Sequence, residues 1–600
     1  MKLNLIPQPQ FVQRNGHRLA SDFSNVDVVI HTPVADNRLY MLGQCIFGQV
    51  TPFIQGSDVY ALHTVGLPLN LEMLNRIKGK QDGYVLIINE GSLEIYALTA
   101  SGLFYGMKTI EQLLHNYNGH LPALTIVDWA DLQLRSDYLD LRTVYPTFEH
   151  MLEYIAELAS YKINTLVVEY EDKLPFRKLS FLRHSELVFS DEHHKQLLQT
   201  AHEHFVQIIP KQQSFGHLEY ILKHPQFIDL RETPSNVGEL CPHRSGSFEM
   251  MEGILEEIAE LHPHSEYLHL GCDEVWSLGT CEDCLASGLS RELSFVRFVN
   301  RLIDKACSLG KKPMIWHDML AHAAEDEIAQ LDKRVIVVVW IYGGYRMKAD
   351  AKDIIRKLRS AGVAVIGASA VRCWDDQGDQ NYPVIQNRIK NVLDWVELAQ
   401  SEQLSGIINT NWSAPFSLGS PYGLFETSRY PAFFAADCNW NVHADSSDFL
   451  KRFLLQYHGV STEGEEASEQ FDYVATDYYQ LIPRLLPDIQ HNLHTAELIA
   501  AMIQFELPAK RRFPLHTFLF RGEMSEVTEE VVTTLKHKYE LAYGDLRIAR
   551  TSMFQILSKL LTPTMVELFM NSRFYLFDLY EAKLQSMLEK HEQNDKEAGE

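Results

Sequence analysis

The feature that most constrains the fold is a regular alternation of short apolar segments with longer amphipathic ones between about residues 131 and 450. The short segments have the length and character of buried strands, and there are eight of them: 135–141, 165–170, 206–210, 267–271, 313–317, 335–340, 363–368 and 405–409. A segment with helical periodicity follows each of these strands. Eight strand-then-helix units are what a (β/α)8 TIM barrel requires. A doubly wound open sheet has the same alternation, but no GxGxxG phosphate turn follows the first strand.

The chain on either side of this alternation has a different pattern. Residues 1–130 combine strand-like runs with one predicted helix at 101–114, which indicates a small α+β domain. Residues 451–600 have apolar side chains at three- and four-residue spacing, with Pro483 and Pro563 as the expected breaks between helices. We therefore expect a TIM-barrel catalytic domain at 131–450, an α+β domain before it, and after it a helical domain available for packing or for homodimer formation.

Two consecutive carboxylates, Asp273 and Glu274, follow the predicted strand 267–271. Adjacent acidic residues are common on surfaces, but this pair lies between an apolar run and the apolar residues Val275 and Trp276. Buried carboxylates that repel one another are costly, and such groups tend to mark functional sites. Because a TIM barrel carries its active site at the carboxyl ends of its strands, this pair is the first candidate for catalysis.

The other predicted strand ends are also rich in polar and aromatic residues. These are Arg135, Asp140, Glu169, Glu171, Asp172, Gln213, His217, Trp316, His317, Asp318, Trp340, Tyr342, Asn411 and Trp412. Each one alone is weak evidence, since a single Trp or His is more often structural. Their joint position at one face of a barrel predicts a carbohydrate site, because indole rings stack on pyranose faces while carboxylates accept hydrogen bonds from hydroxyls.

The composition argues against several classes of partner. The 600 residues carry a formal net charge of −25, with no basic stripe that could neutralise phosphates. We therefore expect neither nucleic acid nor an anionic membrane surface as a partner, and no apolar run is long enough to span a bilayer. The stretch MKLNLIPQPQF at the N-terminus has no signal-peptide apolar region, so we expect a cytoplasmic protein.

Eight cysteines are spread thinly along the chain, unlike a secreted disulfide framework. Cys281 and Cys284 form a lone CxxC motif. Zinc would need two further ligands, for which His262, His264 or Cys241 could be proposed. Since there is no second CxxC, we favour ordinary reduced thiols and expect no metal and no cofactor.

The adjacency of the two acids constrains the mechanism. Most glycosidases place two carboxyl groups on opposite sides of the scissile bond. Neighbours in sequence cannot easily do this, because their Cα atoms are only about 3.8 Å apart. A 2-acetamido group on the substrate can instead attack the anomeric carbon and form an oxazolinium ion. On this hypothesis Glu274 is the general acid and then the base, Asp273 orients the acetamide, and the charge of Asp273 raises the pKa of Glu274.

Residues 269–274, His-Leu-Gly-Cys-Asp-Glu, resemble the H-x-G-G-D-E motif of family 20 glycoside hydrolases, the β-N-acetylhexosaminidases. Residues 102–113 resemble the G-x-F-Y-G-x-x-T-x-x-Q-L helix that closes their N-terminal domain, and residues 215–217 resemble their P-G-H segment. The resemblance covers about residues 85–440. It implies a retaining, exo-acting enzyme that uses no metal and hydrolyses terminal β-linked GlcNAc or GalNAc from a glycan, glycoconjugate or glycolipid.

The resemblance also implies roles for individual side chains. Arg135 and Asp140 are similar to the R-G-x-x-x-D first strand, whose arginine holds sugar hydroxyls. Tyr342 is the candidate for the tyrosine that stabilises the oxazoline, with a structural role as the alternative. Trp412 is expected at the floor or wall of the acetamide pocket. Glu426 is expected to accept from O4 or O6, or else to lie on a solvated helix face. The remaining substrate-binding candidates are His217, Trp316, Asp318 and Trp340.

The sequence departs from the family pattern at three places. Cys272 replaces the second glycine of the acidic motif, and Ser136 replaces the glycine of the first strand. The usual D-D-x-x-W-R after the second strand is absent, and residues 169–176 stand in its place. This version resembles the hexosaminidase D-like branch. The absence of the motif affects the expected outer binding subsites. Two alternatives stay open: a barrel β-glycosidase with Glu169 or Glu171 as a protein nucleophile, and an inactive carbohydrate-binding barrel.

Overall fold

The computed structural model describes residues 3–22, 27–32, 36, 38–39, 42, 71–374, 381–417, 419–461, 477–523 and 528–598. Three regions follow one another along the chain: a small sheet with a helix on it, a closed parallel barrel, and a group of C-terminal helices. This arrangement confirms the predicted fold class. Within these ranges, no helix combines the length and the apolar character needed to cross a membrane.

The N-terminal sheet has its strands in the order β1-β5-β3-β4-β2. The strands are β1 (Phe11–Asp22), β2 (Asp27–His31), β3 (Tyr84–Asn89), β4 (Ser92–Ala97) and β5 (His120–Asp128). A short helix, Leu71–Ile77, precedes β3. The predicted helix is present as Ala100–Asn116, and it begins at Thr99, whose side chain accepts a hydrogen bond from the backbone of Gly102.

The barrel consists of eight parallel strands that close in the order β10-β11-β12-β13-β6-β7-β8-β9. They are β6 (Leu134–Asp140), β7 (Thr165–Glu169), β8 (Gln207–Lys211), β9 (Tyr267–His269), β10 (Lys312–Trp316), β11 (Ile336–Trp340), β12 (Ala364–Arg372) and β13 (Gly406–Asn411). Alternate side chains such as Tyr138, Val167 and Ile209 point inward and fill the barrel with a buried apolar cluster. All the predicted strands are present, so polar residues at their carboxyl ends meet at one face.

Helices cover the outside of the barrel, each after the strand predicted to precede it. They are Phe148–Ser160, Asp191–Glu203, Ser247–Leu261, Arg291–Ser308, Glu325–Ala329, Met347–Ser360, Ile385–Glu402 and Arg429–Trp440. Thr147, Ser190 and Ser290 begin three of them by accepting a hydrogen bond from the backbone N–H three residues further on. Two shorter helices, Glu219–Leu222 and Glu282–Ala286, lie in loops at the carboxyl end of the barrel.

The described part of the chain after the barrel is helical. Its helices are Phe449–His458, Tyr478–Leu485, Leu493–Glu523, Glu529–Leu560 and Pro563–Ala598. Pro563 begins the last helix, where a missing backbone donor costs little. Pro483 lies inside a short helix that ends two residues later, so the break there is displaced from the predicted position. Residues 462–476 and 524–527 of the predicted helical region lie outside the described ranges.

The C-terminal helices hold a loop at the carboxyl end of the barrel. Arg573 donates hydrogen bonds to the backbone carbonyls of Pro421, at 2.6 Å, and Tyr422, at 3.0 Å. Tyr479 donates from its hydroxyl to the carbonyl of Thr427 at 2.6 Å. The loop that follows β13 is therefore fixed by the helical region as well as by the barrel.

Candidate active site

A cleft of about 500 Å³ opens at the carboxyl ends of the barrel strands. It is lined by Arg142, Gln213, His217, Asp273, Glu274, Trp340, Tyr342, Trp374, Trp412, Ala414, Pro415 and Tyr422. The structure thus brings together seven of the residues predicted from the sequence: Gln213, His217, Asp273, Glu274, Trp340, Tyr342 and Trp412. Their convergence follows from the parallel barrel, which collects the residues after each strand at a single face.

A strained turn after β9 delivers the acid pair to the cleft. The backbones of Gly271, Cys272 and Glu274 are left-handed, with φ of 64°, 67° and 52°, a conformation that costs an L-residue about 1–2 kcal/mol. A Cβ on Gly271 would lie 1.9 Å from Oε1 of Gln213, so this position requires glycine. Cys272 bears the strain that a glycine would avoid, and its buried thiol donates to the carbonyl of Leu270 at 3.3 Å. Backbone strain of this kind clusters at functional sites.

His217 lies between the two acids. Its Nε2 is 3.1 Å from Oε2 of Glu274 and 3.7 Å from Oδ2 of Asp273. Burial opposes protonation of the ring, but the charge of Asp273 and the hydrogen bond to Glu274 outweigh burial and raise the pKa of His217 to about 9. The hydrogen bond from His217 lowers the pKa of Glu274, against the effect of burial. The predicted rise in the pKa of Glu274 is therefore wrong for the free protein, because an imidazolium separates the two carboxylates.

Asp318 lies behind the acid pair and contacts its backbone. Oδ2 of Asp318 accepts a hydrogen bond from the N–H of Glu274 at 2.8 Å. Burial, with the nearby charge of Asp273, raises the pKa of Asp318 to about 7. Asp318 does not line the cleft, so its observed contact is with the strained turn and not with the space that a substrate would fill.

Asp273 keeps one carboxylate oxygen without a protein partner. The residue is buried, and its Oδ1 has no hydrogen bond to any residue in the described ranges. A buried acceptor left unpaired costs about 1–3 kcal/mol. A hydrogen-bond donor that entered the cleft and reached this oxygen would recover that cost.

Aromatic side chains form the wall beside Asp273. The rings of Trp340 and Tyr342 are stacked, with centroids 5.2 Å apart and planes 25° apart. Nε1 of Trp412 donates to the hydroxyl of Tyr342 at 3.2 Å, and burial raises the pKa of Tyr342 well above its usual value. The phenol therefore stays protonated at neutral pH. Trp374 adds a half-exposed indole to the lining, and such surfaces suit the faces of sugar rings.

Arg142 is fixed at the side of the cleft by a two-point ion pair with Asp140. Its Nε is 3.0 Å from Oδ1 and its Nη2 is 2.8 Å from Oδ2, and Nη2 also donates to the carbonyl of Ala414. Its Nη1 makes no hydrogen bond to the residues that the structure describes. The guanidinium group lies over the ring of Trp412, 5.3 Å from the centroid. Arg142 therefore combines a fixed position with donors that are available to hydroxyl groups.

Neither of the alternative nucleophiles is available. Glu169 is fully buried and bonded to Lys211 at 2.9 Å and to Tyr138 at 2.6 Å. Glu171 accepts a hydrogen bond from Ser417 at 2.6 Å, and burial raises its pKa to about 8, which keeps it protonated at neutral pH. Neither residue lines the cleft. A carboxylate nucleophile must be ionised and must reach the anomeric carbon, so this geometry gives the alternative mechanism no support.

Two family models match the chain along most of its first two regions. The model described as glycosyl hydrolase family 20, catalytic domain, matches residues 133–412, and the model described as glycosyl hydrolase family 20, domain 2, matches residues 2–129. The chain belongs to glycosyl hydrolase family 20. Hexosaminidase D from Homo sapiens is 30% identical over 293 residues, which are 47% of this chain and 60% of that protein. Hexosaminidase D from Bos taurus is 27% identical over 290 residues, or 46% of this chain and 84% of that protein.

Solved structures of other proteins share the fold at low sequence identity. The structure of chitobiase from Flavobacterium johnsoniae aligns with 98% of this chain over 96% of its own length, with a TM-score of 0.59 and 16% sequence identity. β-N-Acetylhexosaminidase from Bacteroides fragilis covers 75% of this chain and 94% of its own, with a TM-score of 0.58 and 16% identity. At these identities the likeness supports the fold alone.

The arginine that the family 20 resemblance placed in the site is the wrong one. Arg135 is the second residue of β6, at the amino end of the barrel, where it donates to Asp82 at 2.8 Å and lies over the ring of Trp440. Its predicted contact with sugar hydroxyls is therefore wrong. Arg142, two residues beyond the carboxyl end of the same strand, lines the cleft. Position along the strand was the signal that could have separated them, because a seven-residue strand spans about 23 Å.

Two further predicted residues of the family 20 site lie away from the cleft. Glu426 is fully buried in a short turn, with Oε1 2.7 Å from Nε2 of His150, so both its predicted contact with O4 or O6 and its alternative, a solvated face, are wrong. Trp316 is fully buried inside the barrel, with its ring 6.1 Å from that of Trp412, and it supports that residue instead of lining the cleft. The sequence analysis missed Trp374 and Tyr422, which lie on loops without a periodic pattern.

Proposed function

We propose that this protein is a retaining exo-β-N-acetylhexosaminidase that hydrolyses terminal β-linked GlcNAc or GalNAc by substrate-assisted catalysis. The observation that carries the proposal is Oδ1 of Asp273, a buried acceptor without a protein partner in a residue adjacent to Glu274. The N–H of a 2-acetamido group is a donor of the kind this oxygen lacks. Two adjacent carboxylates cannot lie on opposite sides of the scissile bond, so neither provides a nucleophile opposite the acid. The carbonyl oxygen of the same acetamido group provides it instead.

In the first step the acetamide carbonyl oxygen attacks the anomeric carbon. The bond to the leaving oxygen breaks as that oxygen takes a proton from Glu274. Positive charge develops on the acetamide nitrogen, and the carboxylate of Asp273 stabilises it. Tyr342 keeps its phenolic proton and donates to the carbonyl oxygen, while the indoles of Trp340 and Trp412 shield the reacting group from water.

In the second step water attacks the anomeric carbon of the oxazolinium ion. Glu274, now ionised, takes the proton from that water, and the bond between the anomeric carbon and the acetamide oxygen breaks. Two displacements at the same carbon retain its configuration, and the acetamide is regenerated in the product.

His217 supplies the proton that Glu274 needs as an acid. In the free protein the raised pKa of His217 and the lowered pKa of Glu274 place the shared proton on the imidazole. A sugar in the cleft excludes water from Glu274, which disfavours its charged form and draws the proton across the 3.1 Å hydrogen bond. The carboxylate then becomes the neutral acid that the first step consumes.

Arg142 is proposed to hold hydroxyl groups of the terminal sugar. Its ion pair with Asp140 fixes the guanidinium, and Nη1 faces no hydrogen-bond partner among the described residues. The named relatives are hexosaminidases D, which agrees with a substrate that ends in an N-acetylhexosamine. Human hexosaminidase D is matched over 60% of its length, and the aglycone is proposed only as a class: a glycan, glycoconjugate or glycolipid.

A cytoplasmic location and a homodimer complete the proposal. The described cysteines are all free thiols, which suits a reducing compartment. On the last helix Leu568, Tyr575 and Leu579 are exposed at spacings of seven and four residues, which places them on one apolar face suited to a second copy. Sedimentation of the protein before and after replacement of Leu568 and Leu579 by glutamate tests this part: we expect a dimer that dissociates, and a monomer at the outset would contradict it.

The experiment that tests the catalytic proposal compares aryl β-glycosides that differ only at C2. We expect hydrolysis of the 2-acetamido compounds and at most trace hydrolysis of those with a 2-hydroxyl, because only the former carry the nucleophile. A thiazoline mimic of the oxazolinium ion should bind far more tightly than the product sugar. Equal rates on both substrate classes, with no tight binding of the thiazoline, would refute the mechanism.

A further inference from the structure

Four side chains that commonly bind metals meet near the loop that follows Glu274. They are Glu232, Cys241, Cys281 and Cys284, all buried, and one potential ligand atom from each lies within 4.8 Å of the others. The sulfur of Cys241 is 3.3 Å from that of Cys281 and 3.7 Å from that of Cys284. The sulfur of Cys284 is 3.3 Å from Oε2 of Glu232.

These separations are close to those around a single tetrahedral zinc ion. Zn–S bonds of about 2.3 Å and Zn–O bonds of about 2.1 Å place neighbouring ligand atoms about 3.6–3.8 Å apart. A disulfide between Cys241 and Cys281 would instead need about 2.05 Å between the two sulfurs. It would also leave the close contact between the thiol of Cys284 and the carboxylate of Glu232 unexplained.

Backbone hydrogen bonds already orient the potential ligands. Oε1 of Glu232 accepts from the N–H groups of Gly279, Thr280 and Cys281 at 2.9–3.0 Å, which fixes the carboxylate and leaves Oε2 beside the thiols. The N–H of Cys284 donates to the sulfur of Cys281 at 3.4 Å. Contacts of this kind hold the ligands of metal sites in position before the ion binds.

The cluster joins two separate loops of the barrel. On the loop after β8, an antiparallel bridge between Arg231 and Leu240 joins the two short segments that carry Glu232 and Cys241. The two other cysteines lie on the loop after β9, which also carries the acid pair. Ligands that come from two loops and converge on one point are typical of a site that cross-links the fold.

We propose that Glu232, Cys241, Cys281 and Cys284 bind one structural Zn²⁺ ion. Three thiolates and a carboxylate fill a tetrahedral shell and leave no open position for a substrate, so the role is structural. Binding displaces the three thiol protons to solvent. The proposal departs from the expectation of ordinary reduced thiols and does not depend on the proposed function. Of the ligands considered from the sequence, Cys241 joins the CxxC pair, whereas His262 bonds to His194.

The ion would anchor the loop that carries the acid pair. From Glu274 the chain reaches Cys281 within seven residues, so a metal at Cys281 limits the movement of the turn. Ser277 on this loop already donates from its N–H and its hydroxyl to Oε2 of Glu239, two residues before Cys241, at 2.6 Å in both cases. Loss of the ion should therefore loosen residues 275–281 more than the barrel itself.

Metal analysis of the intact protein is the direct test. We expect the full chain, expressed with added zinc and purified without chelator, to contain about one zinc per chain by elemental mass spectrometry. Exchange for Co²⁺ should give the strong visible absorption of a tetrahedral thiolate site. Removal of zinc by a chelator should speed hydrogen exchange in residues 275–281, with little change in the outer helix Met347–Ser360.

Variants test whether this cluster is the site. The double variant Cys281→Ser, Cys284→Ser should lose the bound zinc, whereas Cys307→Ser, which removes a thiol outside the cluster, should keep it. The wild-type cobalt spectrum still decides the question if the double variant does not fold. Three results would each overturn the proposal. The first is wild-type protein that carries no zinc, and the second is a double variant that retains zinc. The third is a disulfide between Cys241 and Cys281 in protein purified under reducing conditions.

Discussion

Replacement of His217 by glutamine is expected to remove a pH-dependent part of the stability. Glutamine can still bond to Glu274, but it cannot be protonated between the two carboxylates. The pKa of His217 rises from the usual 6.5 to about 9 on folding, which corresponds to about 3 kcal/mol of stabilisation by the charged ring. The lowered pKa of Glu274 arises from the same hydrogen bond with His217, so it is not counted as a second contribution to the free energy of unfolding.

The sign of the effect is fixed by the direction of the shift. A histidine whose pKa is raised on folding contributes its full stabilisation below about pH 6.5 and loses it as the pH rises through about 9. Unfolding temperatures of the wild-type protein and His217→Gln should therefore differ by several degrees at about pH 6, and the gap should narrow by about pH 9.5.

The exposed His322, replaced by glutamine, serves as the control for this experiment and should show no such gap. Thermal unfolding monitored by intrinsic fluorescence across this pH range is sufficient for the comparison. A difference between wild type and His217→Gln that stays constant from acid to alkaline pH would refute the charged triad of one imidazolium and two carboxylates.

Three other substitutions test separate parts of the site. Glu274→Gln should reduce kcat about 10²- to 10⁴-fold for substrates with poor leaving groups and much less for activated aryl glycosides; equal losses in both would contradict its role as the acid. Asp273→Asn should lower kcat about 10²- to 10³-fold, with a loss of unfolding temperature at about pH 6 no larger than that of His217→Gln, and a variant with full rate would remove Asp273 from the mechanism. Arg142→Lys should reduce kcat/KM by about 10-fold or more while Arg135→Lys lowers only the unfolding temperature; the reverse pattern would restore Arg135 to the site.

The barrel could be predicted from the sequence because the signals for its strands and helices are local. Each apolar run and each amphipathic segment is visible within about ten to fifteen residues, and the parallel closure then fixes the face where the strands end. For this reason the positions of Asp273, Glu274 and Trp412 in one cleft followed from their place after strands. The break expected at Pro483 falls two residues later, because a short helix can include a proline within its last turn.

The parts of the site that depend on tertiary distance could not be read in this way. Arg135 and Arg142 lie on or just after the same strand, and only their heights in the barrel separate the structural residue from the one in the cleft. The pKa of Glu274 depends on His217, which comes from a different loop. The cluster around Cys281 likewise includes Glu232, which lies 49 residues earlier and carries no motif of its own.

The central claim is that the substrate's own acetamide attacks the anomeric carbon, and a series of substrates with a weakened acetamide tests it most directly. The measurement is kcat/KM for aryl N-acyl-β-glucosaminides whose acetyl methyl group carries zero, one, two or three fluorine atoms. Because fluorine withdraws electrons from the carbonyl oxygen, we expect the rate to fall steeply with each added atom. A rate that does not change across the series would contradict the account.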